Sequence, residues 1–400
     1  MSRPLSPSRR AALRLISFAA STALLPRARA GAGDFAAFVQ GLWPQAQAAG
    51  VSRETFETAV AGLKPEQAVL AKPKAQAEFT ITIPAYLASA VTNSRVARGR
   101  AVAAQYAAPL ARAAQRHGVP PEISVAILGV ESNFGVAAGG SDVLAVLATL
   151  AWKGHRAETF IGEFVDALLL LEKGYATRSQ LRGSWAGAMG QPQFMPSAYL
   201  KYAESDSGAG AADIWRETPD AIASIGNFLE KSGWVAGLPA VVEIRLPETY
   251  DYAAFDLDFP RWRALGAVRA DGGDLPSSGA ASLFLPTGAQ GPAFLIGDNF
   301  EVIRQYNTSD AYAMSVAVLA ERIAGRDIPV VPWPKTAPLS TAEVKEMQQL
   351  LTRAGVYRGA IDGKLGRSSR NAIHAWQLAA GVQPADGYAS KAVLARLKSQ

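Results

Sequence analysis

Hydrophobic side chains recur at helical spacing along most of the chain. Phe35, Phe38, Val39, Leu42 and Trp43 open the pattern, and apolar positions three and four residues apart mark a helix with one buried face. Leu144, Leu147, Ala148 and Ala151 repeat it. Phe160, Phe164, Ala167, Leu168 and Leu171 carry it on until Gly174, where a helix stop is expected. From about 235 to 305 the period shortens. Val241 to Ile244, Ser282 to Leu285 and Ala293 to Ile296 are short β-type runs separated by Gly, Pro and Asp. Helical spacing returns at 309–324. Pro329, Pro332, Pro334 and Pro338 then crowd around Trp333, which predicts a semi-rigid, exposed linker with few contacts crossing it. Residues 341–400 predict a second, smaller helical domain.

Composition narrows the classes. Of the 400 residues, 49% are hydrophobic and 18% charged, which fits a globular chain. There is no cysteine, which excludes a disulfide scaffold, a thiolate metal site and a cysteine nucleophile. The three histidines are far apart in sequence, so no metal and no cofactor is expected. The first 30 residues hold six arginines and no acid, and 336–400 hold nine Lys/Arg against four Asp/Glu. The middle therefore carries 25 basic against 30 acidic side chains, so the pI of 9.4 is no argument for nucleic acid.

Residues 1–30 predict an export signal. Arg9 and Arg10 precede an apolar stretch from Ala11 to Leu25, and Ala28-Arg29-Ala30 offers a cleavage site after Ala30. The stretch is too short for a membrane span and is interrupted by Arg14. A soluble, periplasmic mature protein follows as the expectation, with 31–328 as the main domain, 329–340 as linker and 341–400 as the small domain.

Three segments could do chemistry. In Val119 to Gly135, two prolines and Glu122 start a helix, and Ile123, Ile127, Val130 and Phe134 give it an apolar stripe. Glu131 lies on or beside that stripe. It is either a desolvated carboxyl kept protonated for general-acid work or a structural partner of an arginine or a turn. In Arg182 to Tyr199, small residues allow close backbone approach, while Ser184, Gln193 and Tyr199 add polar groups to an aromatic cleft suited to sugars. In Tyr306 to Tyr312, Ser309 caps a helix, with Tyr306, Asn307 and Tyr312 near its start.

Glu131-Ser-Asn-Phe-Gly135, Ala186-Gly-Ala-Met-Gly-Gln-Pro-Gln-Phe-Met-Pro-Ser197 and Tyr306-Asn-Thr-Ser-Asp-Ala-Tyr312 together resemble the lytic murein transglycosylases of the B type. The likeness runs over about 33–325. The pattern Ile361-Asp-Gly-Lys-Leu-Gly366 followed by Arg370, Ala372, Ile373, Trp376 and Gln377 resembles the three-helix peptidoglycan-binding domain. The resemblance implies a mainly α, lysozyme-like catalytic domain with a small β subdomain inserted at about 240–300.

It also implies a reaction. Glu131 would protonate the glycosidic oxygen between N-acetylmuramic acid and N-acetylglucosamine, then take the proton of the muramoyl 6-hydroxyl as that oxygen closes a 1,6-anhydro ring. Ser184 and Gln193 would hold the reacting sugar, Asn307 would orient an acetamido group, Tyr306 and Tyr312 would line the site, and Arg156 would meet an anionic group. The partner is peptidoglycan, not nucleic acid, and the chain is expected to act as a monomer. The rivals are a muramidase on the same scaffold, which delivers water instead, and a wall-binding protein without catalysis. The family's usual residues are absent at His155, Thr159 and Phe228. The acid-poor loop at 205–213 lacks the oxygens of a calcium site.

Overall fold

The computed structural model describes residues 34–71, 82–154, 156–335 and 337–400. The expected export segment and His155 lie outside the described residues. No helix among the described residues is long and apolar enough to cross a membrane.

The helical body has two hydrophobic cores. Helix Asp310–Ile323, buried over nearly its whole surface, is the axis of the first. Helices Pro121–Ser132, Ile83–Ala90 and Asn93–Gln105 pack around it. The second core lies between Val143–Trp152 and Ala157–Glu172. The opening stripe contributes to it as two helices, Phe35–Gln40 and Trp43–Ala48, because Pro44 starts a new first turn. Phe228 and Tyr306 pack on both cores and mark the seam between them.

The expected β subdomain is a five-stranded antiparallel sheet. Its strand order is Asp256–Asp258, Ala280–Phe284, Ala293–Ile296, Val241–Arg245 and Val268–Arg269. Alternation sorts the central strand: Phe294 and Ile296 join the helical core, while Ala293 and Leu295 face a separate core around Trp262.

The small domain is a three-helix unit, Thr341–Arg353, Arg367–Ala379 and Lys391–Lys398, around Met347, Ile373, Trp376 and Leu394. Its repeat is physical. Gln348 Oε1 accepts from Gly363 N at 2.9 Å and Gln348 Nε2 donates to Asp362 at 3.2 Å; Gln377 does the same to Gly387 at 2.7 Å and Asp386 at 3.1 Å. Each Asp-Gly turn is thus held by a buried glutamine from the preceding helix.

The linker departs from expectation. Glu243 of the sheet accepts from Val330 N at 2.6 Å and Val331 N at 2.8 Å, and the Trp333 ring lies tilted against Phe294 with centroids 6.1 Å apart. These amides satisfy a carboxylate whose burial pushes its pKa up. Contacts also cross directly between domains. Ala289 N donates to Asp386 at 2.9 Å, Arg370 meets Asp310, and His374 Nε2 lies 3.0 Å from the Tyr252 carbonyl. The prolines restrict the segment, but its non-proline amides and Trp333 bind it to the sheet.

Candidate active site

Glu131 sits in the last turn of Pro121–Ser132 and is half-buried. The helix ends abruptly because Asn133 and Phe134 both take positive φ, 50° and 58°. Ser132 Oγ fixes the turn by donating to Leu128 O and accepting from Gly135 N. The Phe134 ring then folds back onto Gly129, where a Cβ would lie 2.7 Å from it. The Glu-Ser-x-Phe-Gly run therefore ends the helix one residue after the carboxylate.

The second segment is a tight loop of crossing backbones. A Cβ on Gly183 would lie 2.0 Å from the Ala188 carbonyl oxygen, so only glycine fits there. Ser184 Oγ accepts from Ala186 N and Ala188 N at 3.3 and 3.2 Å, which leaves its own proton to donate. Gln193, at φ 53°, spends its amide protons on Ala138 O at 2.9 Å and Gly190 O at 2.8 Å. Its Oε1 has no partner among the described residues and remains an acceptor.

The third segment turns between helices Asp298–Tyr306 and Asp310–Ile323. Tyr312 donates to Glu131 Oε1 at 2.5 Å, and Tyr306 donates to Pro192 O at 2.6 Å. The two rings stack with centroids 6.4 Å apart, and Phe228 lies 4.7 Å from Tyr306. Burial, then the charge of Glu131, push both phenols well above their ordinary pKa. They keep their protons and act as donors. The Asn307 side chain is half-buried and has no partner among the described residues.

The three segments close a triangle of hydrogen bonds. Gln193 to Ala138 joins the second to the stretch after Glu131, Tyr306 to Pro192 joins third to second, and Tyr312 to Glu131 joins third to first. Glu131, Ser184, Gln193, Asn307, Tyr306 and Tyr312 are thus held by one connected set of elements. The carboxylate whose charge reaches both Tyr306 and Tyr312 is Glu131.

Tyr199 is not part of this set. It is 3% exposed, and its hydroxyl donates to Ala212 O at 2.6 Å. The loop preceding Trp215 folds over it and claims the hydroxyl that the sequence offered to a ligand, so Tyr199 is a core residue. Arg156 stands exposed at the start of Ala157–Glu172, without a bond to the triangle among the described residues. Thr159 is exposed as well. Sequence reading missed Gln191, which is 5% exposed. Its backbone N donates to Ile214 O at 2.9 Å, and its Oε1 accepts from Thr218 at 3.1 Å, bracing the second segment from behind. In the 205–213 loop, Asp206 pairs with Arg112 and Asp213 with Arg216. Asp220 accepts from Asp206 N and Asp213 N at 2.9 and 2.8 Å. No group of three acids or histidines suited to a metal occurs among the described residues.

Fold and site together define a lysozyme-like helical protein with a half-buried carboxylate in an aromatic seam. The Transglycosylase SLT domain family matches residues 34–321, and a peptidoglycan binding domain family matches 340–397. Membrane-bound lytic murein transglycosylase B of Escherichia coli strain K12 is 36% identical over 236 residues, 58% of this chain and 65% of that relative. The match thus spans slightly under two thirds of that relative's length. The structure of SltB3 from Pseudomonas aeruginosa in complex with NAG-anhNAM-pentapeptide is 40% identical with a TM-score of 0.84, covering 91% of this chain and 99% of that one. The Escherichia coli lytic transglycosylase Slt35 in complex with calcium is 32% identical with a TM-score of 0.60, covering 72% of this chain and 92% of that one. The chain belongs to the Transglycosylase SLT domain family.

Proposed function

We propose that this chain cuts the β-1,4 bond between N-acetylmuramic acid and N-acetylglucosamine in peptidoglycan without consuming water, leaving a 1,6-anhydro-N-acetylmuramic acid end. The observation that carries this reading is the pairing of Glu131 with the neutral Tyr312 hydroxyl in a buried aromatic seam. Glu131 gives its proton to the leaving oxygen as the C1–O bond breaks. Tyr312, already in donor position, stabilises the carboxylate that results. Glu131 then removes the 6-hydroxyl proton while O6 bonds to C1, which restores the acid. All atoms of the glycan are accounted for in the two fragments. The sugar's own N-acetyl oxygen can hold C1 between the two steps, which makes a second carboxylate dispensable.

The remaining roles follow from free donors and acceptors. Ser184 offers a proton and Gln193 an acceptor to the muramoyl ring. Asn307 offers an amide to an acetamido group. Arg156, exposed and cationic, suits a lactyl or stem-peptide carboxylate. The similar SltB3 was solved with NAG-anhNAM-pentapeptide, whose anhydro sugar is the end proposed here. The domain reading is an export signal at 1–30, a catalytic domain at 31–328, a linker at 329–340 and a wall-binding domain at 341–400. Export by that signal puts the enzyme in the periplasm. Calcium has no role in this reading, because Arg112 and Arg216 already neutralise the acids of the 205–213 loop.

Digestion of sacculi in ¹⁸O-water tests the reaction. Anhydro ends free of ¹⁸O are expected. Labelled reducing ends as the main product would establish the muramidase rival, and no soluble product would establish wall binding alone.

A further inference from the structure

The turn that carries Asn307 between its two helices has few ties of its own. Ser309 N donates to Asn307 O at 2.8 Å, and the Ser309 hydroxyl caps the next helix through Tyr312 N. Asp310, the first residue of that helix, is held from two sides. Arg304 of the preceding helix lies 2.9 Å from its Oδ1. Arg370 of the small domain reaches its Oδ2 with both terminal nitrogens at 3.4 Å. The Arg370 guanidinium also lies 5.3 Å over the Phe284 ring of the sheet. Two residues after Asp310, Tyr312 makes its bond to Glu131.

We propose that Arg370 is a positioning residue for the reaction: by holding Asp310, the docked small domain fixes the turn 306–312 and so the approach of Tyr312 and Asn307 to the sugar at Glu131. The small domain then acts on turnover as well as on retention. Arg370 is suited to this because both terminal nitrogens converge on Oδ2 while Arg304 faces Oδ1, so the two cations bracket the carboxylate. Burial lowers its pKa while Asp310 opposes that shift, so the pair is mutually dependent. Neighbouring Arg367 pairs with Glu301 at 3.2 Å, and Glu301 pairs with Arg304 at 2.6 Å, so Arg367 lies at the edge of the same network; exposed Lys398, paired with Glu346 at 2.8 Å inside the small domain, is the control. Misplacing a catalytic contact by ~1 Å can cost ~10²-fold in rate, so a looser turn of part of that size is visible in kcat.

This inference rests on the proposed activity, and the test separates the two. Steady-state kinetics of the full-length protein on soluble, uncross-linked glycan strands removes wall retention from the readout. Arg370→Ala is expected to lower kcat about tenfold, equal to ~1.4 kcal/mol of barrier, with KM within about twofold. Arg370→Lys recovers part of the loss and Lys398→Ala stays at the wild-type rate. Asp310→Asn lowers kcat similarly, and adding Arg370→Ala to it costs less than about twofold more, as coupled neighbours require. Wild-type kcat in folded Arg370→Ala, or a loss confined to KM or to melting temperature, overturns the proposal. If Arg370→Ala does not fold, Asp310→Asn decides, and wild-type kcat there overturns it. The kcat ratio is read whether the wild type leaves anhydro or reducing ends, so the clamp can fail while the reaction stands, and the reverse.

Discussion

Replacing Tyr312 by Phe removes one oxygen from the site and little else. The ring is 2% exposed and stacks on Tyr306 at 6.4 Å, and Phe keeps both features. What disappears is the 2.5 Å hydrogen bond to Glu131 Oε1. A hydrogen bond to a charged group contributes roughly 1.5–3 kcal/mol. In the proposed reaction Glu131 becomes a carboxylate as the glycosidic oxygen is protonated, so the bond strengthens while the barrier is climbed. If its whole value is expressed there, kcat falls about 10- to 150-fold, at ~1.4 kcal/mol per factor of ten. KM should stay within about twofold, because the hydroxyl is already engaged with Glu131 and makes no uniform contact with substrate. Melting should fall by at most about 3–12 °C, since a domain of this size moves ~2–4 °C per kcal/mol. The assay is release of anhydro-ended fragments from soluble glycan strands, followed by mass, beside a thermal melt. A kcat within twofold of wild type would refute the idea that this hydroxyl stabilises the charge on Glu131.

Glu131→Gln should fold and still bind sacculi while turnover drops by ~10²–10⁴-fold, the usual contribution of a general acid–base group; retention of a tenth of the wild-type rate would remove Glu131 from the acid role. Neither EDTA nor added calcium should move the melting temperature, because Asp206 and Asp213 are already paired with Arg112 and Arg216; a calcium-restored drop after EDTA would contradict that pairing. Gly183→Ala should destabilise by several kcal/mol, since the new carbon would lie 2.0 Å from the Ala188 carbonyl oxygen; a melting curve that matches wild type would show that the loop yields more easily than its crossing backbones imply.

Much of the fold was legible because burial leaves a period. The stripes at 144–151 and 160–171 became Val143–Trp152 and Ala157–Glu172, and the three β-type runs became the three longest strands. Strands Asp256–Asp258 and Val268–Arg269 escaped notice because two or three residues carry no period. At the site, polar residue types were legible but their partners were not. Tyr199 and Tyr306 look alike in sequence, yet Ala212 O claims one hydroxyl inside the second core and Pro192 O anchors the other in the seam. Gln193 was expected to hold a sugar, but its donors brace the loop and only its oxygen is left for that task. The linker was misjudged for the same reason. Prolines announce stiffness, whereas the acceptor that binds Val330 and Val331 lies on Glu243, nearly ninety residues earlier.

In the proposed reaction, the placement of Glu131 lets one carboxylate suffice. An inverting hydrolase holds a water and a base on the far face of the sugar, and a retaining one places a carboxylate nucleophile there, so the usual hydrolase needs a second acid at a set distance. The nucleophile proposed here is tethered to the sugar, and well-oriented internal nucleophiles reach effective molarities of ~10⁵–10⁸ M. The protein's task then reduces to holding one ring conformation and one proton donor in register. That favours rigidity over additional catalytic groups. A seam between two hydrophobic cores supplies it. Tyr306 and Phe228 pack against both cores, so neither core can shift without moving the wall of the seam. The triangle of bonds through Gln193, Tyr306 and Tyr312 ties that wall to the Glu131 helix. Phe228 fits the same logic. Its ring lies 4.7 Å from both Tyr202 and Tyr306 and so joins the wall of the seam to the second core. Changes that loosen the seam should therefore lower turnover before they weaken glycan binding, because the tethered nucleophile depends on orientation more than on affinity.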